Sequence, residues 1–181
     1  MIFVDIGLVS QIKSGDRKAM HQLYTLTARY LYAIIQRYLV NEDDVRDVMQ
    51  ETYIKVFGNI NDFNPKEGAS FMSWISRIAV NEALMYLRQK QRESFLVPMC
   101  EVPDQEAEFE VARFSPDEIQ SAILQLPTGY RVVLNLFVFE GKSHREISQL
   151  LGIMEASSAS QLNRAKHLLR KILLKQEGGK Q

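Results

Sequence analysis

The sequence between residues 141 and 175, GKSHREISQLLGIMEASSASQLNRAKHLLRKILLK, holds two helical patterns separated by one glycine. Ser143 followed three residues later by Glu146 is a capping box, in which each side chain satisfies a backbone N–H left open at a helix start. Ile147, Leu150 and Leu151 form the buried side of the short helix that follows, and Gly152 supplies a tight turn. A final helix, about 155–175, buries Leu162, Ala165, Leu169 and Ile172. With those four inward, Ser157, Ser160, Gln161, Arg164 and Lys171 fall on the outward side. Small polar groups lead and cations follow, which suits a DNA-reading helix: its narrow start enters the major groove while arginine and lysine reach base edges or phosphates. The segment carries seven bases against two acids. A plainer reading also fits those cations, as a solvated face whose charge complements the negative end of a helix dipole.

Upstream, Ser115, Pro116 and Glu118 repeat the capping signature with proline at the first helical position, and that helix stops near Pro127. A very apolar helix over about 128–140 ends at Gly141. Before it, from Val97 to Phe114, periodicity lapses, Pro98 and Pro103 intervene, and residues 101–118 hold seven acids against Arg113 alone. That stretch reads as a linker. The N-terminal part is again helical. Leu8 and Ile12 suggest a short first helix, broken by Ser14-Gly15-Asp16. Met20, Leu23, Tyr24, Leu31, Ile34 and Ile35 define a second. Asn41 caps a third, 42–57, with Val45, Val48, Met49, Thr52 and Val56 inward. After the loop NINDFNPKEGA, the spacing of Phe71, Trp74, Ile75, Ile78, Ala83, Leu84 and Leu87 carries a fourth helix to about Arg92. The expectation is an all-α chain of two small helical domains, 1–96 and 115–181, joined by an acidic linker, 97–114.

Composition removes other classes. With 181 residues, 46% hydrophobic and 24% charged, the chain can bury a core and is neither disordered nor fibrous. The 22 basic and 22 acidic residues cancel, yet they are segregated along the chain. Cys100 is the only cysteine, so no internal disulfide forms, and no Cys/His spacing suits zinc, which fits a reducing cytoplasm. MIFVDIGLV lacks the basic start of a signal peptide, and VVLNLFVF is far below membrane-spanning length, so no membrane insertion is expected. No nucleophile–base pair, metal set or phosphate loop emerges, so neither an enzyme nor a cofactor is expected.

Two surfaces of the first domain carry chemistry. Between 42 and 51, five acids face Arg46 alone, and Asp44, Asp47 and Glu51 share a helix face. An anionic face suits a basic partner helix, with Met49 and Tyr53 adding apolar area. Acids at a helix start also complement its dipole, and a solvated face remains the simpler alternative. The fourth helix carries Arg77, Arg88, Lys90 and Arg92 against Glu82. Cations beside aromatics are what single strands require, the cations following the backbone while π-faces or shallow pockets hold unstacked bases. Phe71, Trp74 and Tyr86 lie at helical spacing, which equally describes core packing.

Taken together, the stretches DDVRDVMQETYIKVF (43–57), SFMSWISRIAVNEALMYLRQKQR (70–92), LPTGYRVVLNLFVFEGKSHREISQLLGI (126–153) and SSASQLNRAKHLL (157–169) resemble the extracytoplasmic function (ECF) subfamily of sigma-70 RNA polymerase sigma factors. The resemblance spans nearly the whole chain and implies a promoter-specificity subunit whose first domain is sigma region 2 and whose second is sigma region 4. It implies that Asp43, Asp44, Asp47, Met49, Gln50, Glu51 and Tyr53 grip core RNA polymerase. It assigns the −10 element to Lys66, Ser70, Phe71, Trp74, Arg77, Asn81 and Arg88, with a flipped base held by the loop from about Asn64 to Ser70. The −35 element falls to Arg145, Ser157, Ser160, Asn163, Arg164 and Lys166, with His144 in the capping region beside Arg145. Promoter DNA, core polymerase and an anti-sigma protein, often membrane-bound, are the implied partners. The chain departs from the family at Ala159, where a long basic residue is common, and at Met154 and Ala156 in the turn; Met154 is expected to pack beneath that turn. A stand-alone helix-turn-helix regulator and a helical adaptor that has lost DNA reading remain the rivals.

Overall fold

The computed structural model describes residues 4–64, 70–90 and 113–178. Among them every regular element is helical. The chain divides into two compact units, Met1–Lys90 and Gln91–Gln181. Residues 97–112 of the acidic linker, together with Lys66, Arg92 and Cys100, lie outside the described residues.

The first unit holds α1 (Ile6–Lys13), α2 (Arg17–Gln36), α3 (Glu42–Gly58), a short 3-10 turn (Ile60–Asp62) and α4 (Phe71–Lys90). Local chemistry sets these limits. Asp16 accepts from the backbone N–H of Lys18 and Ala19 to open α2, and Asn41 accepts from those of Asp43 and Asp44 to open α3. Leu23, Leu31 and Ile35 from α2, Val45, Val48 and Val56 from α3, and Ile75, Ala79, Ala83 and Leu87 from α4 form the core. Each fully buried leucine, isoleucine or valine among them contributes about 1.5–3 kcal/mol. The buried hydroxyls of Thr27 and Thr52 each donate to a carbonyl one turn back, Leu23 and Val48, at 2.7 Å, so neither is left unsatisfied. The Lys13 ammonium donates to the Phe63 carbonyl at 2.7 Å, tying α1 to the chain after the 3-10 turn.

The second unit holds α5 (Pro116–Leu124), α6 (Thr128–Val138), α7 (His144–Leu151) and α8 (Glu155–Gly178). Both capping boxes form as expected. Helix α6 is buried from Gly129 to Leu136, including Arg131. That guanidinium is spent on backbone: it donates to the carbonyls of Leu126 (2.9 Å) and Leu124 (3.2 Å), closing the turn between α5 and α6. Phe114, Ala122 and Leu173 form a small core with Ile119, Leu169 and Ile172, and Arg113 pairs with Glu177 at 3.1 Å. Helix α8 thus runs three residues beyond the expected Lys175, because its last turns have a surface to bury against.

Candidate functional site

Helix α3 presents its acids in two directions. Arg46 pairs with Asp43 (2.8 Å) and Glu42 (3.3 Å) on the exposed side, and Asp47, Gln50 and Glu51 are exposed beside them. Asp44 turns the other way. Its carboxylate accepts from Lys90 at 2.6 and 2.7 Å and from the Tyr86 hydroxyl at 2.6 Å, both on α4. Burial works to raise its pKa, but the hydrogen bonds from Lys90 and Tyr86 and the lysine charge outweigh that and hold it below the usual carboxylate value. Asp44, with a side chain only 17% exposed, is therefore already paired to α4, unlike the exposed Asp47 and Glu51.

The apolar side of that face is a groove of about 440 Å³ between α2 and α3, lined by Tyr24, Tyr32, Arg46, Met49, Gln50, Tyr53, Ile54 and Phe57. Tyr53 is a wall of this groove, not an exposed contact. Its ring packs 4.9 Å from Tyr24 and 5.9 Å from Phe57, and its hydroxyl meets Thr27 at 2.8 Å. Burial pushes the Tyr53 phenol up to about 12, against the lowering effect of the Thr27 hydrogen bond. The sequence reading missed the groove's α2 wall: it placed Tyr24 inward, whereas Tyr24 is among the exposed large side chains. The signal available was the aromatic pair Tyr53 and Phe57 one turn apart, which needs an aromatic partner on a neighbouring helix.

On α4, Ser70 accepts from the backbone N–H of Ser73 at 3.1 Å and so caps the helix. Arg77, Asn81 and Arg88 are exposed, and their spacing of four and seven residues places them on one face. Phe71 does not join them. It is 6% exposed and packs with Phe63 (5.1 Å) and the half-buried Trp74 (5.5 Å), an aromatic cluster seated in the core at the foot of α4. Lys66 and most of the loop expected to hold a flipped base lie outside the described residues.

In the second unit, Gly152 adopts φ 66°, ψ 33° and ends α7, a left-handed conformation that glycine enters without a Cβ penalty. The α7 start is charged as well as capped: the backbone N–H of Ser143, then Lys142 and the serine hydroxyl, draw the Glu146 carboxyl down to about 2. His144, in the capping region of α7, is half-buried. It stacks on Phe137 at 4.9 Å and its Nδ1 meets the buried Ser158 hydroxyl at 3.0 Å, bracing α6, α7 and α8. On α8, Asn163, Lys166 and Lys171 are exposed, and Ser157, Ser160 and Arg164 are half-buried along the same outer side; Arg145 is exposed at the start of α7. Gln161, expected outward, is 2% exposed, and Met154, expected under the turn, is 72% exposed. These two corrections share a cause. The turn after Gly152 sets the rotation of α8, so that Ser158, Gln161, Leu162 and Ala165 form the inner stripe.

Among the described residues, no group of three or more His, Cys, Asp or Glu is placed to hold a metal, and no helix is long and apolar enough to cross a membrane.

Residues 23–93 match Sigma-70 region 2, and residues 117–169 match Sigma-70 region 4. The ECF RNA polymerase sigma factor SigE of Mycolicibacterium smegmatis is 30% identical over 172 residues, covering 90% of this chain, which spans 65% of that relative's length. The ECF RNA polymerase sigma factor SigW of Bacillus subtilis is 27% identical over 178 residues, covering 91% of this chain and 94% of the relative. Among solved structures, CnrH, in complex with the cytosolic domain of CnrY, superposes with a TM-score of 0.50 at 25% identity over 92% of this chain and 94% of that one.

Proposed function

The chain belongs to the ECF subfamily of the sigma-70 family of RNA polymerase sigma factors, and from that premise we propose that it directs promoter-specific initiation by core RNA polymerase in the cytoplasm. The first unit docks on the polymerase, reads the −10 element and captures its melted bases; the second reads the −35 element. The chain is a specificity subunit, and the chemistry of RNA synthesis is the polymerase's own.

The observation that carries this reading is the division of labour on the first unit. Asp47, Gln50 and Glu51 stand exposed on α3 beside an apolar groove, while Arg77, Asn81 and Arg88 occupy one exposed face of α4. One surface suits a basic, amphipathic protein segment and the other suits a polyanion. Opening without ATP is energetically reasonable wherever an unpaired base stacks on an aromatic ring, since that stacking returns about 1–3 kcal/mol against the few kcal/mol needed to unpair it. In the second unit Arg145, Ser157, Ser160, Asn163, Arg164 and Lys166 are the −35 contacts, with Arg164 reaching bases and Arg145 and Lys166 reaching phosphates. Ser70 acts at −10 chiefly through the helix start it caps. An anti-sigma protein covers these surfaces when transcription is not wanted; CnrH is solved in complex with the cytosolic domain of CnrY.

Charge reversal tests the assignment. Replacing Asp47 and Glu51 by lysine should abolish co-elution of the full-length chain with core polymerase while leaving the fold intact by circular dichroism. Retained co-elution would remove α3 from the docking surface.

A further inference from the structure

Helices α3 and α4 are joined by two polar contacts at separate levels. At one level Asp44 holds Lys90 and Tyr86. At the other Lys55 donates to Glu82 at 2.7 Å, with the Glu82 side chain only 7% exposed. The pairings run in opposite order along the two helices, and residues 82, 86 and 90 follow one stripe of α4 at intervals of four. Between residues 82 and 90 the buried apolar residues of α4 are Ala83, Leu84 and Leu87, and hydrophobic burial is non-directional, whereas an ion pair fixes which residue faces which. A buried carboxylate is costly to desolvate, so its ion pair adds little net stability and is better understood as specifying an arrangement.

We infer that Lys55–Glu82, together with Asp44–Lys90, are positioning contacts that lock the rotation of α4 against α3 and so set the polymerase-facing Asp47 and Glu51 at a fixed angle to the DNA-facing Arg77 and Asn81. This rests on the docking and −10 assignments proposed above. Polymerase binding to α3 then delivers the α4 face to the unpaired strand in a defined register, and a chain whose helices pack equally well in a shifted register binds polymerase but opens promoters poorly.

The experiment separates stability from register by replacing the pair with apolar residues, Lys55→Met with Glu82→Leu, in the full-length chain. Thermal unfolding and co-elution with core polymerase should match the wild type, while the fraction of promoter opened, read by permanganate reactivity of −10 thymines, should fall about tenfold. Should that variant fail to fold, Lys55→Leu with Glu82→Met is subject to the same reading. Wild-type opening by a folded variant overturns the inference. Asn81→Ala and the Asp47, Glu51 reversal run beside it as controls: if those impair opening and docking and the lock variant does not, the lock alone fails. If they too have no effect, the surface assignments fail and the lock falls with them.

Discussion

Arg164 and Lys166 sit two residues apart on α8 and differ in exposure. Arg164 is half-buried at the edge of the inner stripe, which holds its guanidinium in a limited set of directions and suits a bidentate contact to a base. Lys166 is exposed and suits a phosphate. Arg164→Ala should cost about 1–3 kcal/mol on the preferred −35 sequence and relax discrimination at one position, measured by competition binding of the assembled holoenzyme. Lys166→Ala should weaken all sequences alike and lower the salt slope by about one. If the two variants behave identically, the assignment is wrong. Individual residues were also where the sequence was least legible. Asp44, Phe71 and Gln161 each occupy a position whose spacing allowed two faces, and only tertiary packing decided between them. Lys90 drew Asp44 inward, Phe63 and Trp74 enclosed Phe71, and the rotation imposed after Gly152 buried Gln161.

Elements were more legible, because their ends are written in local chemistry. Asn41, Ser115 with Glu118, and Ser143 with Glu146 announce helix starts that the structure contains, since a cap requires only neighbours in sequence. What the sequence did not reveal was the groove between α2 and α3, whose walls come from positions 24 and 32 on one helix and 46–57 on the other. The capping box of α7 makes a pH prediction. Glu146 titrates near 4.5 when unfolded and about 2 when folded, so its contribution is complete above about 4.5 and is lost as pH falls toward 2. Across that window the urea midpoint of the wild type should fall more steeply than that of Glu146→Gln; parallel curves would show that the box adds no pH-dependent stability. Gly152→Ala should cost about 1 kcal/mol or more, since a Cβ is disfavoured at φ 66°, and should weaken −35 binding by misdirecting α8. Unchanged unfolding and unchanged −35 affinity would contradict this view of the turn.

For the whole molecule, the 22 acidic and 22 basic residues impose a division between the free and assembled states. The basic faces of α4 and α8 are short, and the acids elsewhere oppose a polyanion, so the free chain should bind promoter DNA no more tightly than non-specific complexes do, with Kd about 10⁻⁴–10⁻⁶ M at physiological salt. Tight, sequence-specific binding by the free chain would instead describe an independent helix-turn-helix regulator. We propose that the acids between residues 101 and 110 occupy a basic path within the polymerase; neutralising them should alter initiation or promoter escape, and an unaltered transcript pattern would contradict this. Joint action of both units on polymerase is what would make the chain a promoter-specificity subunit. Its most direct test is to isolate the complex of the purified chain with core RNA polymerase by gel filtration and assay it for run-off transcription from genomic fragments. Co-elution with transcripts starting at defined sites is the predicted result. Co-elution that yields no specific transcript would contradict it and leave an adaptor.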